Sequence, residues 1–160
     1  MTDAVPAQPY PYPRLRLAAQ LVLGFLALYH VLTGILCVCF PEYSKDIYAA
    51  VYDFHPRYWE QYRLILKPWG SYAIFTGAVL TFAARNPDRY RAVVWCMCGL
   101  LLIRCSYRTL FAADAHEVFK MDYARNFVNV GLMLSYCAVL IPWSVLQYRA
   151  AKRAPDQGVW

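Results

Sequence analysis

Charge is what this sequence has least of. Asp, Glu, Lys and Arg make up 16% of its 160 residues, and only 10 residues are acidic. A soluble domain carries about 25% charged residues, enough to cover its surface. A freely soluble single domain is therefore excluded as the simplest reading. Motifs of common chemistry are missing as well. There is no phosphate loop, no dinucleotide fingerprint, no serine-nucleophile elbow and no metalloprotease helix motif. No C-x-x-C occurs, so the redox motif of thiol-disulfide relay proteins is absent. Histidine is scarce, at three residues. His30 alone falls within an apolar run, so two imidazoles from facing helices are not on offer for a membrane haem.

Apolar residues fill the space that charge leaves. The hydrophobic fraction is 60%, against about 45–50% in soluble proteins. It is concentrated in four runs, near 15–40, 68–84, 90–113 and 124–147. A helix crossing a bilayer needs about 17–25 residues. The pattern predicts an all-α integral membrane four-helix bundle in a single domain covering 14–150. The segment 1–13 holds Pro6, Pro9, Pro11 and Pro13 and reads as an extended, disordered leader. The segment 151–160 reads as a short cytoplasmic tail. The first run is too long for a signal-peptide core and has no small-residue cleavage site.

Orientation follows the basic residues of short loops. Arg14, Arg16, Arg85, Arg89, Arg91, Arg149, Lys152 and Arg153 cluster at one end. Lys45, Arg57, Arg63, Lys67, Lys120 and Arg125 are diluted among acids at the other. Both termini are thus expected in the cytoplasm. The excess of Lys and Arg reflects topology and contact with the lipid bilayer, and nucleic acid is not an expected partner.

Between the first two runs, Ser44 is a plausible N-cap, and Ile47, Val51 and Phe54 share a face. A short amphipathic helix over 44–54 is predicted in this outer loop. Tyr58, Trp59 and Tyr62 suit an interface, and Pro68 is placed to open the second span. The tight turn Arg85–Asp88 implies that the second and third runs are antiparallel neighbours. The segment Asp114–Tyr123 reads as a short polar turn, and Pro142 should kink or end the last helix. Trp69 and Trp143 read as markers of opposite boundary layers. Ala73 with Gly77, and Gly131 with Ser135, offer small residues four apart for close helix contact.

Two arginines inside the third run are the best functional clue. A charge facing lipid near the bilayer centre costs at least about 2.5–3.5 kcal/mol. Arg104 and Arg108 are four apart and point the same way. His30, Asn126, Asn129, Ser71 and Tyr72 come to comparable depth from the other helices. Together they suggest a polar pocket with a cationic floor, open toward the side away from the termini. The alternative, which takes the larger share, is that the arginines pair with carboxylates or backbone carbonyls and lock the bundle, or that Arg108 snorkels to the interface. Glu60, Asp114, Glu117 and Asp122 are near enough to cap it, and Gln20 is the clearest polar group of the other half. Arg104, the deeper of the two, is expected to weigh more on the fold than Arg108. The ligand-binding candidates are Arg104, Arg108, His30, Asn126, Asn129 and Tyr72.

The cysteines read as packing. Cys37/Cys39 and Cys96/Cys98 are C-x-C pairs whose side chains diverge by about 200° on a helix, poor geometry for a chelate or a bridge. Cys105 and Cys137 read as small core residues. A metal site from His55, Asp114, His116 and Glu117 has weak spacing, and none is predicted.

The plan of the chain resembles the DoxX-like group of small four-helix bacterial membrane proteins. The likeness rests on a glycine-bearing first helix (Gly24, Gly34) ending at Pro41, a long outer segment, the stretch WGSYAIFTG, and the element IRCSYRT. It covers about Leu15 to Leu140. The resemblance implies a compact bundle in the bacterial inner membrane, in some members associated with membrane oxidoreductases. Two functions remain open from the residues. One is an accessory or scaffold subunit of a larger membrane assembly, with other membrane subunits as partners, favoured by an aromatic content of 17%. The other is an enzyme or carrier binding an anionic or carbonyl-bearing amphiphile, a quinone or lipid headgroup, around Arg104 and Arg108. No cofactor and no catalytic residue is assigned.

Overall fold

The computed structural model describes residues 12–49 and 58–153. Six helices fill them: α1 (Pro13–Cys39), α2 (Pro41–Ala49), α3 (Trp59–Arg85), α4 (Arg91–Leu110), α5 (Ala112–Phe119) and α6 (Tyr123–Arg153). Three of them, α1, α4 and α6, are long and apolar enough to cross a membrane. The fourth long helix, α3, has the length but carries Glu60, Arg63 and Lys67 in its first turns. The leader lies almost wholly outside the described residues, as do Val51 and Phe54 of the predicted loop helix.

The helices pair off against chain order. α3 packs most extensively on α1, and α4 on α6, with α1 also touching α6. The α3–α4 contact is small although only a tight turn joins them. The predicted neighbours share a turn but spend their surfaces elsewhere, and glycine explains why. A Cβ placed on Gly34 would sit 2.6 Å from Gly70 O, and one on Gly77 would sit 2.8 Å from Ala27 O. The α1 and α3 backbones therefore touch along Gly34, Gly70, Ala73 and Gly77, a contact only small residues allow. Gln20 extends the pairing by donating to Ala84 O at 3.1 Å. Arg16 ties the start of α1 to Asp88 in the α3–α4 turn at 3.0 Å. By contrast, a Cβ on Gly131 meets nothing within 4 Å. The expected Gly131/Ser135 contact does not form.

α4 and α6 meet along a different kind of face. Val94, Cys98, Leu101 and Cys105 on α4 are buried, as are Met133, Cys137 and Leu140 on α6. These positions alternate by three and four, the spacing of a coiled-coil seam. Cys137 Sγ lies 4.0 Å from Cys98 O, and Cys105 Sγ lies 3.8 Å from Val130 O. The residue numbers in each pair add to the same value, so the two helices run antiparallel in constant register. Arg91 and Arg108 continue the α4 seam at its two ends; Asn126 and the pair Ser144 and Gln147 continue that of α6. The start of α1, the α3–α4 turn and the end of α6 share one end of the bundle, hereafter the terminal end. α2 and α5 lie at the other, distal end.

Several predicted details change. The loop helix begins at Pro41, which takes the helix-opening role proline tolerates, and Ser44 sits inside it. Ser44 is 1% exposed and bonds Cys37 Sγ, whereas Ile47 is exposed. Pro68 lies within α3, which starts nine residues earlier at Trp59. Pro142 lies within α6 without ending it, and the helix takes in the first residues of the predicted tail. The segment 114–123 contains most of α5, closed by Lys120 in the left-handed conformation at φ 50°. Trp143 is 0% exposed and belongs to the core. All six cysteines are free; each C-x-C pair has one buried and one exposed member, as the helical divergence requires.

Candidate functional site

α4 brings Arg104 and Arg108 onto the face it shares with Leu101, between α1 and α6. Their local fit differs. Arg108 Nη1 donates to Asn126 Oδ1 at 2.9 Å, and Asn126 Nδ2 donates back to Arg108 O at 2.9 Å. Asn126 is buried, so this exchange satisfies a polar group that could not otherwise stay there. Arg104 makes no hydrogen bond or ion pair among the described residues. Its partner is space. A cavity of about 410 Å³ and a second of about 150 Å³ both have Arg104 and Arg108 in their walls.

The larger cavity lies between α4, α5 and the start of α6. Ile103, Tyr107, Phe111, Phe119 and Met121 make it apolar. The smaller lies between α1, α4 and α6. It adds His30, Tyr29, Asn129 and Tyr136 to the arginines. His30 is buried, 9% exposed, and its Nδ1 lies 2.7 Å from Leu26 O. A carbonyl oxygen only accepts, so Nδ1 carries the proton and donates it. That fixes the tautomer of the neutral ring and leaves Nε2 as a hydrogen-bond acceptor. Asn129 donates its amide to Arg125 O within its own helix at 3.1 Å.

Five of the six candidate residues are thus gathered: Arg104, Arg108, His30, Asn126 and Asn129. Tyr72 is not among them. It is 73% exposed on α3 and lines neither cavity. The reason is helical phase. Gly70, Ala73 and Gly77 are committed to α1, and Tyr72 stands about 100° from Ala73, on the outside. Ser71 is exposed and bonds Lys67 O of its own helix. The expected acidic cap is also missing. Glu60 pairs with Arg63 at 2.9 Å, and Asp122 accepts from Ala124 N. Among the described residues no carboxylate lines either cavity. The two arginines differ in that Arg108 is bonded to Asn126, whereas Arg104 makes no such bond among the described residues.

α5 was not foreseen as a wall. Its Ala115 and Phe119 line the larger cavity. His116 bonds Met121 O at 2.9 Å and stacks on Tyr123, fastening α5 to the start of α6. Among the described residues no three His, Cys, Asp or Glu side chains stand close enough to hold a metal, and His55 lies outside those residues. Tyr29, Tyr107 and Tyr136 were also missed. The signal that finds Tyr136 is the α6 seam, which it directly precedes at Cys137.

No family model, no curated protein and no solved structure matches this chain.

Proposed function

We propose that this chain is an integral membrane protein that holds the head of a membrane amphiphile between α1, α4 and α6, with Arg104 as its cation. The observation that carries this reading is an unpartnered guanidinium at the junction of two cavities. A charge kept away from water is stable only if it pairs or meets a polar ligand, and among the described residues no carboxylate is there to pair it. An anionic or carbonyl-bearing head supplies the missing acceptor, and the planar guanidinium presents it with a fork of donors. His30 Nε2 accepts a proton-bearing group of the same head. The apolar walls suit a hydrocarbon or isoprenoid tail. A cavity near 400 Å³ falls within the usual size for a small-molecule site, about 300–1,000 Å³. A quinone or a lipid has this combination of parts.

The membrane reading takes α3 as a fourth span. The support is its glycine contact with α1, which keeps the two helices together through the bilayer. Exposed Leu21, Phe25, Leu28, Phe75, Phe82 and Ile103 supply a surface fit for lipid. Clustered basic residues at the terminal end favour its cytoplasmic placement. An accessory-subunit role rests on the aromatic content and on the lack of a recognisable catalytic set. It gives no reason for an unpaired arginine beside a cavity, so ligand binding is the better-supported reading.

The test is native mass spectrometry of the full chain in mild detergent, with extraction of bound amphiphiles. A stoichiometric quinone or lipid is expected on the wild type and lost from Arg104→Leu. His30→Ala should weaken it. Equal occupancy in wild type and Arg104→Leu would overturn the assignment, as would a folded wild type that retains no amphiphile and binds none on titration.

A further inference from the structure

The α4–α6 seam ends in an arginine and a carboxamide on both sides. At the distal end Arg108 and Asn126 satisfy each other. At the terminal end the equivalent groups do not. Arg91 Nε, Gln147 Nε2, Ser144 Oγ and Trp143 Nε1 are all buried, and none has a hydrogen-bond partner among the described residues. Trp143, Ser144 and Gln147 are each more than nine-tenths buried.

Register brings them together. The pairs Cys98–Cys137 and Cys105–Val130 hold a constant antiparallel offset, which sets Arg91 level with Ser144. Gln147 follows Ser144 by three residues and Trp143 by four, so the α6 groups occupy one side of their helix. Three of the four atoms can only donate. Buried donors without acceptors are rare in native proteins because each loses its water and gains nothing. The one acid at this end among the described residues, Asp88, is held by Arg16. Among the described residues no acceptor is offered to these donors.

We propose that the terminal end of the α4–α6 seam is a second binding site, taking a phosphate-type oxyanion on Arg91, Ser144, Gln147 and Trp143. Several unpartnered donors at one level of two packed helices call for a ligand with several acceptor oxygens, and a phosphate group has them. The surrounding charge is of the right sign: Arg85, Arg89 and Arg149 are exposed nearby in sequence at the same end. Arg91 is only partly buried, so its guanidinium is the part of the site nearest solvent. The oxyanion is either free phosphate or the headgroup of an anionic phospholipid. The lipid source rests on the membrane reading above; the free anion does not.

The full chain, purified in detergent and phosphate-free buffer, is melted with inorganic phosphate, with phosphatidylglycerol and with phosphatidylcholine. Bound species are counted by native mass spectrometry. A rise in Tm with phosphatidylglycerol alone identifies a lipid headgroup; an equal rise with inorganic phosphate identifies the free anion. In either case Gln147→Leu and Arg91→Leu should weaken binding at least about tenfold, the loss of one charge-assisted contact. Arg104→Leu should leave it unchanged. Ser144→Ala and Arg91→Lys give the same comparison should Gln147→Leu fail to fold. No response to any of the three additives overturns the proposal. So does wild-type binding by Gln147→Leu, above all if that variant melts higher, because an unneeded buried donor would then simply have been removed.

Discussion

Arg108 and Asn126 hold each other twice, side chain to side chain and side chain to backbone, both at 2.9 Å. One turn away on the same face, Arg104 has only cavity in front of it. Two arginines that look interchangeable in the sequence thus divide the work: one closes the α4–α6 contact and the other stays available.

Arg108→Leu should destabilise the protein by about 1–3 kcal/mol, because it strands the buried carboxamide of Asn126. Asn126→Leu should cost a similar amount, and the double substitution less than the sum, with a coupling of about 0.5–3 kcal/mol. Arg104→Leu should change stability by less than Arg108→Leu while removing the ligand. Thermal melting of the four variants in one detergent decides it; strictly additive losses at 108 and 126 would count against the reciprocal bond.

The glycine contact makes an unambiguous packing prediction. Gly34→Ala and Gly77→Ala place a methyl against backbone at under 3 Å, so α1 and α3 must separate. The expected cost is about 1–3 kcal/mol each, the usual range for overpacking. Gly131→Ala adds a methyl into open space and should be neutral or stabilising by up to about 1 kcal/mol, through helix propensity alone. Equal melting of Gly77→Ala and Gly131→Ala would refute the close approach.

Thiol accessibility follows from the two C-x-C pairs. Cys39 and Cys96 are exposed, while Cys37, Cys98, Cys105 and Cys137 are buried. A small maleimide in detergent should modify two thiols in the folded chain and six after denaturation, read as intact mass. Rapid modification of Cys98 or Cys137 in the folded state would contradict the seam.

Asp88→Asn removes the partner of Arg16, an ion pair whose side chains are 23% and 18% exposed. Exposed pairs contribute about 0–1 kcal/mol and breaking a buried one costs about 3–5, so an intermediate loss of about 1–2 kcal/mol is expected. Urea or thermal unfolding measures it. The substitution should leave the amphiphile binding proposed at Arg104 untouched, since the pair sits at the opposite end of the bundle. A loss of that ligand in Asp88→Asn would mean the two ends are coupled.

What the sequence determined by itself was the material and the periodicity. Long runs without charge dictate helices, because only a helix satisfies its own backbone where water is absent. Arginines four apart must share a face, and C-x-C pairs must split between two. The recurrence of Arg91, Val94, Cys98, Leu101, Cys105 and Arg108 at steps of three and four was also there to be read, and it names the α4 seam. Pairing was not there. Chain order favours α3 beside α4, yet α3 lies on α1, because the energy of a glycine contact depends on two surfaces that no single stretch of sequence displays together. Tyr72 was misjudged for the same reason: depth along a helix is legible, but phase relative to a partner is set only once the partner is known. The difference between Arg104 and Arg108 is likewise tertiary. It arises because α6 brings Asn126 within hydrogen-bond reach of Arg108, whereas of the α6 polar groups beside Arg104, Asn129 is turned to its own helix at Arg125 O.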